Sequence, residues 1–508
     1  MKLVELFDKL PAPGKSLVNC QAAVPDIIRL EYDSRRVTKD LGGMIYACVK
    51  GDNFDGHNFA EDAVSLGAAA ILSEFELPVD IPQIVVPRTR AVMGAAASIL
   101  YGKPSDKLTM IGFTGTNGKT TTSYITRAIL SESGAGVGMI GTIVYDDGAQ
   151  ESFADRTTPE GPDIQSMLSR MVTNGAKYCV MEVSSHGLDQ GRLEGCLFDR
   201  VGFSNLTPEH LEYHENMERY FEAKKTLFSA YVRGGWIGAV SADDEYGRRL
   251  ISEFGERIRG FAVNLELMPV GRNYVASVVE SGINGMSVLI QYPNGRSFTV
   301  QSPLIGNFNA SNILESVVIG ESLGMDHDVI RAGILRCPQI PGRLERHSFS
   351  NGVTVFVDYA HSYDGMKQIL GTLSGLQKAR IRVLWGAGGD RTPLKRPIIG
   401  EIMAKMAYHV VITTDNPRSE NPSAIACDVE SGVKRSGINV RCDTILDRRE
   451  AIGFILDSAE PGDIVLVAGK GPERFIDFGT HKIPFDDSET VREWAAERSL
   501  EVMRDDRA

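Results

Sequence analysis

Thr114-Gly115-Thr116-Asn117-Gly118-Lys119-Thr120-Thr121 combines residue types suited to phosphate chemistry. Two glycines allow a tight backbone curl whose N–H groups can point inward at phosphate oxygens. Lys119 can reach terminal phosphates, and the Thr120 hydroxyl can hold Mg²⁺. Phe113 stands where the strict G-x-x-x-x-G-K-[ST] pattern has its first Gly, so the assignment leans on structural context. An apolar run, 108–113, enters the turn, and a helical pattern leaves it near Thr120. A helix N-terminus at that point adds partial positive charge.

Glu182 closes a second apolar run, Tyr178-Cys179-Val180-Met181. A carboxylate at a strand end can hold the Mg²⁺ of a bound nucleotide. Ser184, Gln190 and Arg192 follow with a hydroxyl, an amide and a guanidinium. Arg192 can fork to a phosphate or a carboxylate. His210 and His214 lie among acids, but their spacing lacks the H-E-x-x-H acid and any Cys partner, which argues against zinc. Imidazole would be an unusual ligand for Mg²⁺, which prefers oxygen. Lys224 falls in a helical run, 217–228, and by composition reads as a solvated lysine. Asn309 and Asn312 share a face where a helix opens. They can read an adenine, but capping the helix is the default for such residues.

The elements that must position these residues repeat one pattern. Residues 1–88 read as a small α/β unit with polar loops at 33–36 and 50–57. Residues 89–338 hold five strand-like runs, each ending in a polar loop and separated by helical stretches. That alternation predicts a mostly parallel sheet with helices on both faces. The stretch 274–300 reads as an antiparallel appendage. Residues 339–508 continue the βα order, with strands at 353–357, 381–385, 409–413 and 463–467. If these are parallel, their following loops share one edge. That edge then carries Asp358, His361, Arg391, Asp415, Arg418, Lys470 and Glu473, a set suited to a zwitterionic or anionic ligand. The expected fold class is α/β in three domains, with a central P-loop-type, mostly parallel sheet and a Rossmann-like C-terminal domain.

A chain of 508 residues has room for roughly three domains. A net charge of −12 argues against nucleic acid or an anionic membrane as partner. No apolar run reaches the roughly 18 residues that span a bilayer. The N-terminus carries acids early and lacks a signal-peptide core. Seven scattered cysteines without C-x-x-C spacing read as reduced thiols of a cytoplasmic protein.

With its motifs in place, the chain resembles the Mur ligases of peptidoglycan synthesis over essentially its whole length. The resemblance rests on the phosphate loop, Glu182-Val183-Ser184-Ser185-His186-Gly187, Asn205-Leu206-Thr207 and His210-Leu211-Glu212-Tyr213-His214. It rests equally on Gly306-Asn307-Phe308-Asn309, Pro341-Gly342-Arg343-Leu344-Glu345 and Asp358-Tyr359-Ala360-His361. Asp415-Asn416-Pro417-Arg418 is similar to the signature of members that add meso-2,6-diaminopimelate to UDP-N-acetylmuramoyl-L-alanyl-D-glutamate.

The resemblance implies an ATP-dependent amide-bond ligase working through an acyl phosphate. It implies a UDP-substrate domain (1–88), an ATP-binding domain (89–338) and an amino-acid-binding domain (339–508). Lys119, Glu182, His210 and Lys224 take catalytic positions. Lys224 is expected to be carbamylated and, with Thr120, Glu182 and His210, to hold Mg²⁺. ATP contacts fall to Gly115, Thr116, Asn117, Gly118, Lys119, Thr120, Thr121, Asn309, Arg343 and Asp358. UDP-substrate contacts fall to Tyr32, Ser34, Asp52, Asn53, Phe54, Thr157, Thr158, Ser184, Gln190 and Arg192. The diaminopimelate pocket falls to Arg391, Asp415, Asn416, Pro417, Arg418, Gly469 and Glu473. The partners implied are small molecules, with a monomer expected. Two residues depart from the family pattern: Tyr363 replaces a usual Pro, and Pro472 replaces the His of Gly-Lys-Gly-His-Glu. Alternatives are a lysine-adding Mur enzyme, a folylpolyglutamate-synthase-like ligase, or a nucleotide-binding regulator without ligase activity.

Overall fold

The computed structural model describes residues 1–20, 24–37, 42–51, 54–263, 273–376 and 379–503. It is α/β, and it divides into two compact units. The first unit comprises 1–276, 290–297 and 311–333; the second comprises 277–289, 298–310 and 334–508. Among the described residues no helix is long and apolar enough to cross a membrane.

The first unit opens with a five-stranded sheet: β1 (Ser16–Val18), β2 (Arg29–Glu31), β3 (Met44–Ala47), β4 (Ala70–Ser73) and β5 (Gln83–Val85). The order is β1-β5-β4-β3-β2. A larger sheet follows. Its strands are β6 (Thr109–Thr114), β7 (Val137–Ile140), β8 (Val144–Asp146), β9 (Glu151–Phe153), β10 (Tyr178–Glu182), β11 (Phe198–Phe203), β12 (Val232–Ser241) and β13 (Ile258–Ala262). The run β7-β10-β6-β11-β12-β13 is parallel throughout. β8 and β9 add an antiparallel edge.

Central strands such as β6 and β10 are near-continuous apolar runs because helices cover both of their faces. After β6 the chain moves to one side, to β7 and β10, then crosses to β11 on the other side. The carboxyl end of β6 is therefore a topological switch point, where open α/β sheets bind ligands. Three further strands, β14 (Tyr274–Gly282), β15 (Gly285–Gln291) and β16 (Ser297–Ser302), occupy the stretch read as an appendage. The division between the compact units runs through them.

The second unit is built on a six-stranded sheet: β17 (Glu345–Ser348), β18 (Thr354–Asp358), β19 (Ile381–Trp385), β20 (His409–Ile412), β21 (Arg441–Thr444) and β22 (Ile464–Ala468). The order is β17-β18-β22-β19-β20-β21, parallel except for β17. Parallel pairing brings the loops after β18, β19, β20 and β22 to one edge. A short hairpin, β23 (Phe475–Asp477) with β24 (Lys482–Pro484), follows β22.

Candidate active site

The phosphate loop is shaped by its glycines. Gly115 has φ +141° and Gly118 has φ +96°. A Cβ on Gly115 would sit 2.1 Å from Ser204 Oγ, and one on Gly118 would sit 2.5 Å from Asn312 Oδ1. Asn205 braces the curl from β11's end: its carbonyl accepts from Thr116 N at 2.8 Å, and its Oδ1 from Asn117 N at 2.9 Å. The helix Lys119–Glu132 begins directly after Gly118. Lys119 folds back, its Nζ donating to the carbonyls of Gly115 and Thr116 at 2.9 Å each. Thr121 is buried in the helix's first turn.

Thr120 and Glu182 come together as oxygen donors, the hydroxyl donating to Glu182 Oε2 at 2.8 Å. Thr142 completes this cluster: its N donates to Glu182 Oε1 at 2.8 Å and its hydroxyl to Oε2 at 2.9 Å. Sequence reasoning missed Thr142, since no motif surrounds it. It missed Glu315 too, which is buried on the helix Asn309–Ser322 and accepts from Thr122 Oγ1 at 3.2 Å. Burial pushes the Glu315 carboxyl up to about 8.

Lys224 is buried, not solvated as composition implied. It lies on the helix Met217–Ser229, capped by the Asn216 side chain. Its Nζ donates to Gly115 O at 2.8 Å and lies 4.7 Å from the Tyr220 ring centroid. Burial first, and then the Lys119 charge, hold its pKa well below the ordinary lysine value. His210 sits at φ +57°, its ring 4.8 Å from that of His186. Burial pulls its pKa down to about 4. A neutral buried amine is a nucleophile toward CO₂, and the resulting carbamate would present oxygens to a hard cation. Thr120 and Glu182 are oxygen donors of the kind that Mg²⁺ takes.

A cavity of about 440 Å³ opens near the N-terminal sheet, lined among others by Tyr32, Ser34, Arg36, Phe54 and Asp163. Tyr32 OH donates to Asp163, and Arg36 pairs with the same carboxylate at 3.1 Å. Asp52 and Asn53 lie outside the described residues. Glu160, which also lines the cavity, collects three guanidinium groups: Arg90 at 2.9 Å, Arg156 at 2.8 Å and Arg192 at 3.3 Å. Arg192 also donates to Thr158 O at 2.8 Å and to Gln190 Oε1 at 3.0 Å. Thr158 Oγ1 donates to Glu182 O and accepts from Ser184 N, both at 3.0 Å. Thr157 Oγ1 lies 3.1 Å from Thr142 Oγ1. Thr157, Thr158, Ser184, Gln190 and Arg192 therefore form one hydrogen-bonded run that reaches the Glu182 cluster.

In the second unit the strand-end loops assemble a charged cluster. Lys470, fully buried, lies 3.2 Å from Asp415 Oδ1 and 3.4 Å from Glu473 Oε2. It donates to Asn416 Oδ1 at 3.2 Å, while Asn416 Nδ2 donates to Glu473 at 2.7 Å. Arg418 adopts φ +51° and donates to Gly389 O. Pro417 packs so closely on Gly389 that a Cβ there would sit 1.9 Å from Pro417 O. Gly469 has φ +106° and Arg391 is exposed on the loop after β19. Asn309, Arg343 and Asp358 belong to this unit too. Asn309 Nδ2 donates to Ile305 O at 2.8 Å. Arg343 lies over the Tyr359 ring at 4.9 Å. Asp358 accepts from Leu344 N and Ala360 N at 2.7 Å each, and burial raises its pKa. Pro472 packs against Gly342, where a Cβ would lie 2.4 Å from the proline ring.

A phosphate loop at a switch point, backed by a Thr–carboxylate pair, defines a nucleotide-using P-loop enzyme. The chain belongs to the Mur ligase family. Residues 113–320 match the Mur ligase middle domain, and residues 342–471 match the Mur ligase, glutamate ligase domain. It is 38% identical to the UDP-N-acetylmuramoyl-L-alanyl-D-glutamate--2,6-diaminopimelate ligase of Geobacillus kaustophilus, over 98% of this chain and 100% of that protein. It is 39% identical to the like-named ligase of Geobacter sulfurreducens, over 91% of this chain and 93% of that protein. A solved structure bearing that ligase's name aligns at a TM-score of 0.63 and 30% identity, covering 93% of this chain and 95% of that chain.

Proposed function

We propose that this ATP-dependent ligase joins meso-2,6-diaminopimelate to the D-glutamyl carboxylate of UDP-N-acetylmuramoyl-L-alanyl-D-glutamate in peptidoglycan synthesis. The observation that carries the acceptor is the second unit's strand-end cluster, where Asp415, Asn416, Lys470 and Glu473 bring both signs of charge together, with Arg418 on the same loop as Asp415. Diaminopimelate has a second amino-carboxylate end that such a set can pair; lysine has only an amine there. Full-length relatives at 38–39% identity that bear this ligase's name support the reading. We assign 1–88 to the UDP substrate, 89–338 to ATP and 339–508 to the amino acid. We further infer a cytoplasmic monomer acting on small molecules and not on nucleic acid, consistent with its charge of −12.

The first step is attack of the substrate carboxylate on the γ-phosphate of ATP, giving an acyl phosphate and ADP. Such transfers are dominated by positioning and charge neutralisation. The loop N–H groups and Lys119 hold the phosphates, with Thr121, Asn309, Arg343 and Asp358 as further nucleotide contacts. Thr120, Glu182, His210 and carbamylated Lys224 would hold Mg²⁺, which supplies positive charge to the phosphoryl oxygens. Tyr32, Ser34, Asp52, Asn53 and Phe54 take the uridine side; Thr157, Thr158, Ser184, Gln190 and Arg192 orient the peptide. In the second step the diaminopimelate amine attacks the acyl carbonyl, and phosphate leaves. Arg391, Asp415, Asn416, Pro417, Arg418, Gly469 and Glu473 hold that amino acid.

The test is phosphate release from ATP with the UDP-dipeptide substrate, comparing meso-diaminopimelate with L-lysine. Release with diaminopimelate alone is the expected result. Release with lysine alone would keep the ligase and overturn the acceptor. Release with neither would overturn the reaction.

A further inference from the structure

The acceptor pocket depends on two strand ends that no backbone ladder joins. β20 leads into Asp415-Asn416 and β22 leads into Gly469-Lys470, but β19 lies between them in the sheet. β19 is followed by Gly386, where a Cβ would lie 2.6 Å from Thr413 O and 2.9 Å from Asp415 N. The missing side chain lets the loop after β20 close over the end of β19. The loops' own side chains meet across the gap, Lys470 with Asp415 and Asn416 with Glu473, and a further buried tie joins the backbone of the two flanking ends.

Arg448 does this. It opens the helix Arg448–Asp457, whose N-cap is the Asp447 side chain. Its guanidinium donates to Thr414 O at 3.3 Å and to Ala468 O at 3.1 Å. Those carbonyls immediately precede Asp415 and Gly469. The other edge of the fork pairs with Asp487, Nε to Oδ1 and Nη2 to Oδ2, at 2.7 Å each. Both side chains are fully buried. Asp487 opens the helix Asp487–Glu497. A buried pair of this kind is weak evidence for stability, because desolvation offsets most of its attraction. It is strong evidence for geometry, because a planar fork with four fixed acceptors tolerates little displacement. Burial works against the Arg448 charge, but Asp487, followed by Asp415 and Glu473, raises its pKa overall. The guanidinium is thus in electrostatic reach of two pocket acids.

We propose that Arg448, held by Asp487, is a positioning residue for the acceptor amino acid, fixing the separation between Asp415-Asn416 and Gly469-Glu473. This rests on the acceptor reading above. Pocket geometry is sensitive at this scale: displacement of about 1 Å at a binding constellation can cost 10²-fold. Both ties end on carbonyls next to the residues proposed for the acceptor, so the effect falls on that substrate.

The experiment is steady-state kinetics of the full chain with Arg448→Lys and Asp487→Asn, alongside the unaltered protein. Lysine keeps the charge but cannot reach two carbonyls and a carboxylate with a planar fork. The expected result is a rise of roughly tenfold or more in KM for meso-diaminopimelate in both variants. KM for ATP and for the UDP-dipeptide should stay within about twofold. A melting temperature that falls while KM for meso-diaminopimelate holds would overturn the proposal in favour of a purely structural pair. So would a failure of both variants to fold. No turnover with meso-diaminopimelate in the unaltered protein would overturn the acceptor, and this inference with it. Turnover there with an unchanged KM in both variants would overturn the inference alone.

Discussion

Single residues differ in how much of their role the sequence disclosed. Lys119, Thr120 and Glu182 were legible because a strand, a glycine turn and a terminal acid identify themselves by order. Thr142 and Glu160 were not, because their partners, Arg156 aside, lie 15 to 70 residues away and ordinary residues surround them. Lys224 was misread from composition, since nothing local indicates that the Gly115 carbonyl and the Tyr220 ring enclose its amine. Arg418→Ala removes a guanidinium fork from the residues assigned to the acceptor amino acid. KM for meso-diaminopimelate should rise roughly 10- to 100-fold, with discrimination against lysine eroded; an unchanged KM would refute the assignment. Glu315 offers a test by pH. Its carboxyl is raised from 4.5 to about 8, so the folded state keeps a proton that the unfolded chain gives up. The stabilisation is complete below about 4.5 and is lost as pH rises through about 8. Glu315→Gln removes the titration. From pH 5 to pH 9 the melting temperature of wild type should fall by a few degrees relative to that variant. A constant difference across that range would show that Glu315 does not titrate there.

Elements were legible where apolar runs were unbroken. The strand read at 381–385 coincides with β19, and that at 353–357 is offset by one residue from β18. β11 begins three residues earlier than its apolar run, at Phe198. Asp199 and Arg200 interrupt the run, but their charges are absorbed: Asp199 accepts from Met110 N at 2.9 Å, and Arg200 donates to Ser322 Oγ at 2.7 Å. β17 escaped notice because Glu345-Arg346-His347-Ser348 has no apolar alternation; it is an antiparallel edge strand. Helix contacts carry a prediction of their own. The helices Thr89–Leu100 and Gly161–Thr173 meet where a Cβ on Gly161 would lie 2.6 Å from Gly94 Cα. Arg90 rides on the first of these helices, and Glu160 immediately precedes the second. Gly161→Val should therefore destabilise the protein by roughly 1–3 kcal/mol. It should also raise KM for the UDP-dipeptide, because it separates the Arg90–Glu160 pair. Equal KM values for that substrate would sever the contact from binding.

Across the whole molecule, each compact unit has cores of its own. Differential scanning calorimetry should therefore resolve more than one transition. Saturating meso-diaminopimelate, at about 100 times its Kd, should stabilise the second unit's transition by about 2.7 kcal/mol. A uniform shift of every transition would count against a pocket confined to that unit. The second unit is also discontinuous in sequence, with 277–289 and 298–310 set apart from 334–508. Ile305 joins its core, and Arg346 reaches back to Asn284 Oδ1 at 2.7 Å. During synthesis, those early segments leave the ribosome well before most of their partners exist. At roughly 5–20 residues per second, they wait on the order of ten seconds or more for the last strands of the unit whose core they join. Birth order thus sets a period in which apolar side chains such as Ile305 have no mates, and a chaperone has its natural opportunity to bind.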